Sequence, residues 1–441
     1  MLSSPDMEAY FSLGSNLGDR RANLAAGIRL LEGHGARTLA VSPVLETPAL
    51  LAPNATAAWD QPYLNLAIKC EVSGEPHAWL NHIQAIEDSL GRDRTAKWAP
   101  RPLDIDILIW GDRRWDAVDL QIPHRELTHR SFVLTPLLHI APNLKVPCPT
   151  PASQMPITDY PTVFTLTQRV KPLPLWMAII NLTPDSFSDG GEHSNLDDLA
   201  EEVSSLARHG AHIIDFGAES TRPGAQPVCA ETEWARLQPG LAVAFEVLAD
   251  LPLPPRISVD TRHPSVAANA LELGVGLIND VSGLETPAMR AVARSSDCEW
   301  VIMHHLGLPA DPARTLPPST DPIPTLLDWL GKRVETLATD GIDSSRLLFD
   351  PGIGFGKDSL QSLQILQNTQ ALRDAGIRLL VGHSRKSFMQ FANVDFRDRD
   401  LETLGVSLQL CQQGVDVLRV HDAVGHMRAH RAWSHVQGYA S

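Results

Sequence analysis

The pattern of apolar and polar positions before residue 140 predicts a small domain of mixed strands and helices. Short apolar runs predict strands at 9–13, 38–46, 63–72 and 103–110. Apolar residues at helical spacing predict helices at 19–32, at 76–90 and, further along, at about 130–139. The order βαββαβ is that of the split βαβ arrangement, so we expect an α+β ferredoxin-like domain.

Proline then interrupts the pattern. Eight prolines fall between residues 141 and 175, namely Pro142, Pro147, Pro149, Pro151, Pro156, Pro161, Pro172 and Pro174. Because such a segment cannot sustain a helix or a central strand, we expect it to include a linker between two domains. We place this proline-rich linker at 159–172, which leaves a first domain of 1–158 and a second of 173–441.

Beyond the linker the pattern changes to repeated units of strand, loop and helix. Apolar runs predict strands at 176–181, 211–216, 256–260, 276–279, 299–303, 346–350, 378–382 and 415–419. Helices are predicted between them, including 196–209, 264–273, 323–339, 359–375 and 401–413. About eight such units match a (β/α)₈ barrel, so we expect an α/β TIM barrel.

Polar side chains collect where the predicted barrel strands end. They are Asn181, Asp215, Asp260, Asn279, His304, Asp350, the run 384–387, Arg419 and His421. The C-terminal strand ends of a barrel share one rim, and enzymes of this fold carry their chemistry there. The alternative is ordinary loop polarity, which gives no reason to load one rim in this way.

Composition and charge exclude several classes of protein. The chain has 441 residues, 43% of them hydrophobic, which fits a globular protein of two domains. No apolar run is long enough to span a membrane, and the first residues do not resemble a signal peptide. The net charge of −15 disfavours nucleic acid as a partner. An anionic small molecule would therefore be held by a few placed cations or by a metal.

The cysteines indicate a reducing compartment. There are 5, they are scattered, and no two are at CxxC spacing. Free thiols in the cytosol fit this pattern better than disulfides or structural zinc do, so we expect a cytoplasmic protein.

The strongest chemical signal in the first domain is the pair Asp104 and Asp106. Residues i and i+2 of a strand project to the same face, and two carboxylates on one face repel unless a cation lies between them. A divalent metal is therefore expected, and a solvated acidic face is the alternative. Nearby basic residues favour the metal, because a triphosphate held by Mg²⁺ requires them. These are Arg92, Arg94, Arg101, His124 and Arg130.

Residues 9–147 resemble the 6-hydroxymethyl-7,8-dihydropterin pyrophosphokinases. The matching pieces are LGSNLG at 13–18, YLN at 63–65, GRDR at 91–94, WAPRPLDID at 98–106 and IPH at 122–124. The resemblance implies that Asp104 and Asp106 bind two Mg²⁺ and that Arg92 and Arg101 act on the transferring phosphates. It also implies a pterin pocket of Tyr63, Phe132, Asn65 and Thr47. The ATP-binding positions that it implies are Gln84, Glu87, Arg94, Trp98, His124 and Arg130.

The barrel rim has the groups that a pterin and a pyrophosphate need. Asp260 and Asp350 are carboxylates that can read the amino-pyrimidinone edge of a pterin, and Asn279 is a complementary amide. An anionic leaving group requires cations, which are Lys386, Arg419 and His421. Asn181 offers a hard oxygen suited to Mg²⁺.

The barrel resembles the dihydropteroate synthases along its whole length. The matching segments are MAIINLTPDSFSDGG at 177–191, ESTRPGA at 219–225, INDVSG at 278–283, SRKS at 384–387 and RVHD at 419–422. The resemblance makes Asp260, Asn279, Asp350 and Lys386 the pterin contacts, and Asn181 with Arg419 and His421 the site of one Mg²⁺ and of pyrophosphate.

Further synthase residues rest on the same resemblance. The loops 183–191 and 220–224, the latter with Thr221 and Arg222, would close over p-aminobenzoate, whose carboxylate would meet Ser387. Phe355 would be a further substrate contact. Lys386 and Arg419 would also act in catalysis. Sulfonamide sensitivity and a homodimer formed through the barrel are implied as well.

Together the two domains predict a bifunctional transferase of folate biosynthesis. The first would transfer pyrophosphate from ATP to the pterin, and the second would condense the product with p-aminobenzoate. One alternative is that the barrel is a pterin-binding methyl-transfer module. Another is that the barrel is active alone, beside a non-catalytic N-terminal module.

Overall fold

The computed structural model describes residues 6–51, 55–94, 99–147, 156–182, 192–220, 226–395 and 398–437. The chain divides into two compact units. The first is Met1–Leu173 together with His430–Ser441, and the second is Pro174–Ala429. No helix in the described ranges is both long enough and apolar enough to cross a membrane.

The first unit is built on one antiparallel sheet. Its strands are β1 (Met7–Ser15), β2 (Arg37–Val41), β3 (Leu45–Thr47), β4 (Tyr63–Val72) and β5 (Asp104–Trp110), and a separate pair is β6 (Trp115–Asp116) and β7 (Gln121–Ile122). The strand order is β2-β4-β1-β5, with β3 also paired to β4. This order is that of the split βαβ arrangement, so the α+β prediction for this domain is confirmed.

The described residues of this unit form four α-helices before the barrel begins. They are α1 (Arg20–Gly33), α2 (Pro76–Ser89), α3 (Ser131–Ile140) and α4 (Val163–Val170). The single strand predicted at 38–46 is two strands in the structure, because the extended pairing is interrupted at Ser42 and Pro43 between β2 and β3. Ser42 still bonds to the sheet, since its Oγ accepts from the backbone of Ala67 at 2.9 Å.

Helix α4 lies inside the segment predicted to be a linker. The expectation that this segment cannot hold a helix is wrong here, because no proline falls between Pro161 and Pro172. Thr162 caps the helix by accepting from the backbone of Thr165. Its buried residues pack into the same apolar cluster as α3. The segment thus contributes to the core of the first unit.

The second unit is a closed barrel of eight parallel strands. They are β8 (Leu175–Asn181), β9 (Ile213–Gly217), β10 (Arg256–Asp260), β11 (Leu277–Asp280), β12 (Glu299–Met303), β13 (Leu347–Asp350), β14 (Arg378–Val381) and β15 (Val417–Val420). The barrel closes where β8 pairs with both β9 and β15. All eight strands lie within two residues of the predicted positions, and the TIM-barrel prediction is confirmed.

Helices follow the barrel strands. They are α5 (Glu192–His209), α6 (Ala230–Leu248), α7 (Pro264–Glu272), α8 (Pro287–Arg294), α9 (Pro322–Thr339), α10 (Ser359–Gln367), α11 (Thr369–Arg373), α12 (Asp400–Gln413) and α13 (Ala423–Gln437). The helix predicted at 359–375 is two helices that meet at Asn368. A short 3₁₀ helix, Ser387–Ala392, follows β14. The parallel strands bring their C-terminal ends to one rim, as the sequence predicts.

Candidate active sites

In the first unit a carboxylate and two arginines lie together at the start of β5. Oδ1 of Asp104 accepts from Arg92 at 2.5 Å and from Arg101 at 3.3 Å. Asp106 lies on the same strand face, and its Oδ1 is 4.0 Å from Nε2 of His124. Desolvation raises the pKa of Asp106, and the charge of Asp104 raises it further. The site therefore combines carboxylates that favour a cation with arginines that favour phosphate.

Glu87 binds two neighbouring arginines, Arg92 and Arg94. Its buried carboxylate accepts from Arg92, from Arg94 at 2.9 Å and from the backbone of Ile105 at 2.9 Å. Burial raises the pKa of Glu87, and Arg92 is the largest opposing influence. Glu87 thus anchors the two arginines to α2, and a direct contact of this residue with ATP stays a prediction.

A buried polar pocket lies on the neighbouring strands. Asn65 donates to Oγ1 of Thr47 at 2.9 Å, and both side chains are buried. Gly14 of β1 is the register partner of both Asn65 and Asp104. A Cβ at Gly14 would lie 3.2 Å from Oδ1 of Asn65 and 3.3 Å from the ring of Tyr63. The missing side chain therefore keeps open a space between the amide, the aromatic ring and the phosphate-binding end of β5.

The other predicted kinase residues surround this centre. Arg130 lies with its guanidinium 5.6 Å from the ring centroid of Phe132 at the start of α3. His124 lines a cavity of about 260 Å³ next to β7. Gln84 is exposed on α2, and its backbone carbonyl accepts a hydrogen bond from Arg94 at 3.2 Å. Trp98 lies outside the described residues, so its predicted contact with ATP is untested.

At the barrel rim Arg419 joins two carboxylates. Its Nε donates to Oδ2 of Asp215 at 2.6 Å, and its Nη2 donates to Oδ2 of Asp260 at 2.8 Å. Asp215 also accepts from Ser258 at 2.6 Å and from Asn279 at 3.2 Å. Burial raises the pKa of Asp260 to about 7 by desolvating the carboxylate; the charge of Arg419 lowers this pKa and the charge of Asp215 raises it. One guanidinium thus sets the positions of both carboxylates.

Asn181 lies at the C-terminal end of β8, near Asp260. A Cβ at Gly217 would lie 3.9 Å from Oδ1 of Asn181 and 3.9 Å from Oδ2 of Asp260. The two oxygens therefore face the same glycine. Within the part of the chain that the structure describes, no three His, Cys, Asp or Glu residues form a metal cluster. A cation at this rim would need further oxygens from substrate or water, which is how Mg²⁺ is usually held.

The opposite part of the rim carries Asp350, Phe355 and Lys386. Oδ1 of Asp350 accepts from the backbone of Gly352 at 2.7 Å. Burial raises the pKa of Asp350, and Lys386 is among the charges that oppose the shift. Nζ of Lys386 lies 4.4 Å from the ring centroid of Phe355. The three side chains therefore share one wall, with a carboxylate, a cation and an aromatic face.

Some of the remaining synthase residues are among the described residues, and others are not. His421 lies with its Nδ1 2.8 Å from Oγ of Ser384. Ser387 is exposed and begins the short 3₁₀ helix. Thr221 and Arg222 lie outside the described residues, as does the loop 183–191. Their predicted roles are therefore untested.

The comparisons with known proteins agree with this geometry. Residues 10–142 match the family of 7,8-dihydro-6-hydroxymethylpterin-pyrophosphokinase, and residues 177–421 match that of the pterin binding enzymes. The folate synthesis bifunctional protein of Chlamydia caviae is 37% identical over 96% of this chain and 98% of its own length. The chain belongs to the bifunctional folate synthesis family. The mitochondrial folate synthesis bifunctional protein of Arabidopsis thaliana is 33% identical, over 96% of this chain and 81% of its own.

Solved structures of dihydropteroate synthases resemble the barrel of this family member. The enzyme from Anaplasma phagocytophilum, with bound 6-hydroxymethylpterin-monophosphate, is 35% identical, with a TM-score of 0.54. The match covers 60% of this chain and 99% of the Anaplasma chain. The Yersinia pestis enzyme, in a sulfonamide drug complex, is 33% identical with a TM-score of 0.53, over 61% and 95%. The predicted bifunctional transferase, with a pyrophosphokinase and a dihydropteroate synthase domain, is confirmed.

The sequence does not reveal the contacts of three residues that organise these two sites. Asp215 was recognised at the rim, but its bonds to Arg419 and Asn279 were not. Glu87 is predicted to contact ATP, and its bonds to Arg92 and Arg94 are not evident from the sequence. Lys357 ends a glycine-rich segment and received no role, although it is buried. In the sequence each of the three is a single charged residue, which does not reveal its partners.

Proposed function

We propose that the two units catalyse consecutive steps. The first transfers pyrophosphate from ATP to 6-hydroxymethyl-7,8-dihydropterin and releases AMP. The second joins the pterin pyrophosphate to p-aminobenzoate, forming 7,8-dihydropteroate and pyrophosphate. The observation that carries this proposal is that one chain has two clusters of carboxylates and cations, each suited to a pterin with phosphates. The kinase domain is assigned to 1–158 and the synthase barrel to 173–441, on either side of 159–172.

In the kinase reaction the pterin hydroxyl attacks the β-phosphorus of ATP. The new O–P bond forms and the hydroxyl gives up its proton as the bond between the β-phosphorus and the oxygen bridging to the α-phosphate breaks, and AMP departs with that oxygen. Arg92 and Arg101, held beside Asp104, are placed to bind the transferring phosphates. The pterin would lie against Tyr63 and Phe132, with Thr47 and Asn65 reading its edge.

In the synthase reaction the bond between the pterin methylene and pyrophosphate breaks first. The electron-rich ring stabilises the cation, and the arylamine then attacks the methylene carbon and loses a proton. Asp260, Asn279 and Asp350 orient the ring, while Lys386, Arg419 and His421 bind the departing charge. The loops around 183–191 and 220–224, with Thr221 and Arg222, would exclude water, and Ser387 would bind the carboxylate of p-aminobenzoate.

Mg²⁺ fits both sites. In the kinase site Asp104 and Asp106 would hold two ions, which would offset the burial and the repulsion from Asp104 that together raise the pKa of Asp106. At the barrel rim Asn181 would hold one ion beside the pyrophosphate. Bound Mg²⁺ neutralises phosphate charge and thereby makes pyrophosphate a better leaving group or donor.

The barrel also has a surface suited to self-association, and we assign the homodimer to it. Leu360 on α10, Phe391 in the 3₁₀ helix and Leu401 on α12 are 72%, 69% and 78% exposed. Gln390 and Ser359 approach to 3.5 Å, so the first two elements are neighbours. Exposed large apolar residues on adjoining elements favour a protein partner. Light scattering on the parent and on a Phe391→Glu, Leu401→Glu variant would separate dimer from monomer.

The cysteines bear on the cellular compartment, and the p-aminobenzoate site bears on the response to sulfonamide drugs. Cys70, Cys229, Cys298 and Cys411 are unpaired thiols, which supports a cytosolic or similarly reducing location. Sulfonamides resemble p-aminobenzoate, so they are expected to compete with it in the second reaction only.

A coupled assay tests the two-step function. Purified full-length protein would receive Mg²⁺, ATP, 6-hydroxymethyl-7,8-dihydropterin and p-aminobenzoate, and AMP and dihydropteroate would be followed. Asp106→Asn should abolish both products, with dihydropteroate restored by added pterin pyrophosphate. Lys386→Ala should spare AMP and abolish dihydropteroate. If the parent protein forms no AMP but still uses added pterin pyrophosphate, the kinase assignment is wrong.

A further inference from the structure

Lys357 is a buried cation for which the synthase mechanism gives no use. Its side chain is 4% exposed. Its Nζ lies 2.7 Å from Nδ1 of His304 and 2.9 Å from the carbonyl oxygen of the same residue. The carbonyl oxygens of Gly352 and Phe355 are each 3.0 Å away. An ammonium has three donors, and four acceptors surround this one, so its hydrogen-bonding capacity is fully used.

Opposing influences act on the charged form of Lys357, since burial and the charge of Lys386 disfavour it whereas Asp350 favours it. Burial lowers its pKa well below the ordinary value, while nearby Asp350 opposes the shift. The four acceptors also favour the ammonium, because hydrogen bonds to a charged form stabilise it. Burial and the charge of Lys357 lower the pKa of His304 to about 3, so its ring is neutral and Nδ1 can accept.

The segment that Lys357 holds is the loop after β13. This loop contains Gly352, Gly354 and Gly356, all with positive φ. Chains with this many glycines have many accessible backbone conformations, so the observed one needs outside support. The ammonium supplies it by joining two loop carbonyls to His304, which directly follows β12.

The two loop carbonyls that Lys357 binds are linked to the wall formed by Asp350, Phe355 and Lys386. Phe355, whose carbonyl accepts from Nζ, has its ring against Lys386. Gly352, whose carbonyl also accepts from Nζ, donates its own N–H to Asp350. A displacement of either carbonyl would therefore move a side chain that faces the substrate.

We propose that Lys357 is a positioning residue of the synthase reaction, whose ammonium fixes the loop after β13 so that Phe355 and Asp350 meet the pterin. Lys357 acts through these two residues and does not touch the substrate. The proposal predicts that its loss weakens pterin binding selectively, with the chain still folded and the kinase site intact.

The experiment uses Lys357→Met in the full-length protein. The KM for pterin pyrophosphate and the dissociation constant of 6-hydroxymethylpterin should each rise about tenfold or more, with the larger effect in KM than in kcat. AMP formation by the same protein serves as an internal control and should stay within about twofold of the parent value.

Arg373→Met is the matched control for stability alone. Arg373 is also buried, and its Nε lies 3.7 Å from Asp416, which precedes β15 at the opposite end of the barrel strands. It should lower the melting temperature without raising the KM for pterin pyrophosphate. A Lys357→Ala variant should regain pterin affinity on addition of propylammonium but not of the neutral 1-propanol.

Two results would overturn the proposal. One is a Lys357→Met protein whose pterin KM and dissociation constant match those of the parent at temperatures where it is folded. The other is an equal rise of both constants in Arg373→Met, which would mean that lost stability alone explains the effect.

Discussion

Arg419 and Asp215 are joined by a 2.6 Å hydrogen bond at the barrel rim, although 204 residues separate them in the chain. Asp215 is fully buried and accepts three side-chain donors, of which only the guanidinium also reaches Asp260. The cation to which we assign pyrophosphate binding is thus held in place by a buried carboxylate.

Replacing Asp215 by Asn should impair the synthase without affecting the kinase. A hydrogen bond to a charged group is worth about 2 kcal/mol, so kcat/KM for pterin pyrophosphate should fall roughly 30-fold. AMP formation should not change. Glu299→Gln is a suitable control. Glu299 is the first residue of β12, so it lies at the end of the strands opposite the site, and its carboxylate is 2.6 Å from the guanidinium of Arg378. Equal losses in both variants would contradict a specific role for Asp215.

The affinity for a pterin should depend on pH through Asp260. Its pKa is raised to about 7 by burial, so the carboxylate is ionised above that pH and protonated below it. Only the ionised form can accept two N–H groups of the pterin edge, so affinity is full above pH 7 and is lost as the pH falls through it.

Titration calorimetry with 6-hydroxymethylpterin checks this, because that ligand has no phosphate to titrate. Well below the pKa the association constant should fall about tenfold for each pH unit. Asp260→Asn should bind weakly and almost independently of pH. A parent protein whose affinity is constant from about pH 5.5 to about pH 8.5 would exclude this role for Asp260.

In the kinase unit, Glu87→Gln should slow AMP formation. The change removes the charge that holds Arg92 and Arg94, and we expect a loss of about tenfold in kcat. Synthase activity with added pterin pyrophosphate should be unaffected. Glu75→Gln is the matched control, because Glu75 is the N-cap residue at the opposite, N-terminal end of the same helix and forms an exposed ion pair with Arg113. An unchanged kcat in Glu87→Gln would show that the arginines are placed without it.

Thr47→Val should weaken binding of the hydroxymethylpterin substrate to the kinase. The substitution keeps the shape of the side chain but leaves Asn65 without the acceptor at 2.9 Å. We expect the KM for this substrate to rise about fivefold, with the KM for ATP unchanged. Thr38→Val on β2 makes the same chemical change outside the pocket. If both variants behave alike, Asn65 does not need Thr47.

The sequence predicts the barrel strands accurately because each is a short, mainly apolar run between polar segments. It fails where one residue changes the local outcome. Pro43 splits a predicted strand, and the proline-free interval before Pro172 allows an unexpected helix. In both places the composition of the wider segment gave the wrong expectation, since backbone geometry depends on where the prolines stand.

The candidate sites divide in the same way. Asp104 and Asp106 are two residues apart, so their shared face is predictable from strand geometry. The bonds of Arg419 to Asp215 and Asp260 depend on how eight strands close into a barrel, and spacing along the chain contains no such information. Lys357 was overlooked because lysine is almost always exposed, and only the folded chain shows the acceptors that bury it.

The glycines after β13 have a consequence for inhibitors. A Cβ at Gly352 would lie 2.0 Å from the carbonyl oxygen of His304, and one at Gly356 would lie 2.5 Å from Leu306. Both residues also have positive φ, which other residues rarely adopt. A drug that packs against this stretch of backbone therefore meets a surface that single mutations cannot reshape while the enzyme keeps its own substrate. Resistance to such a drug would have to arise elsewhere in the pocket.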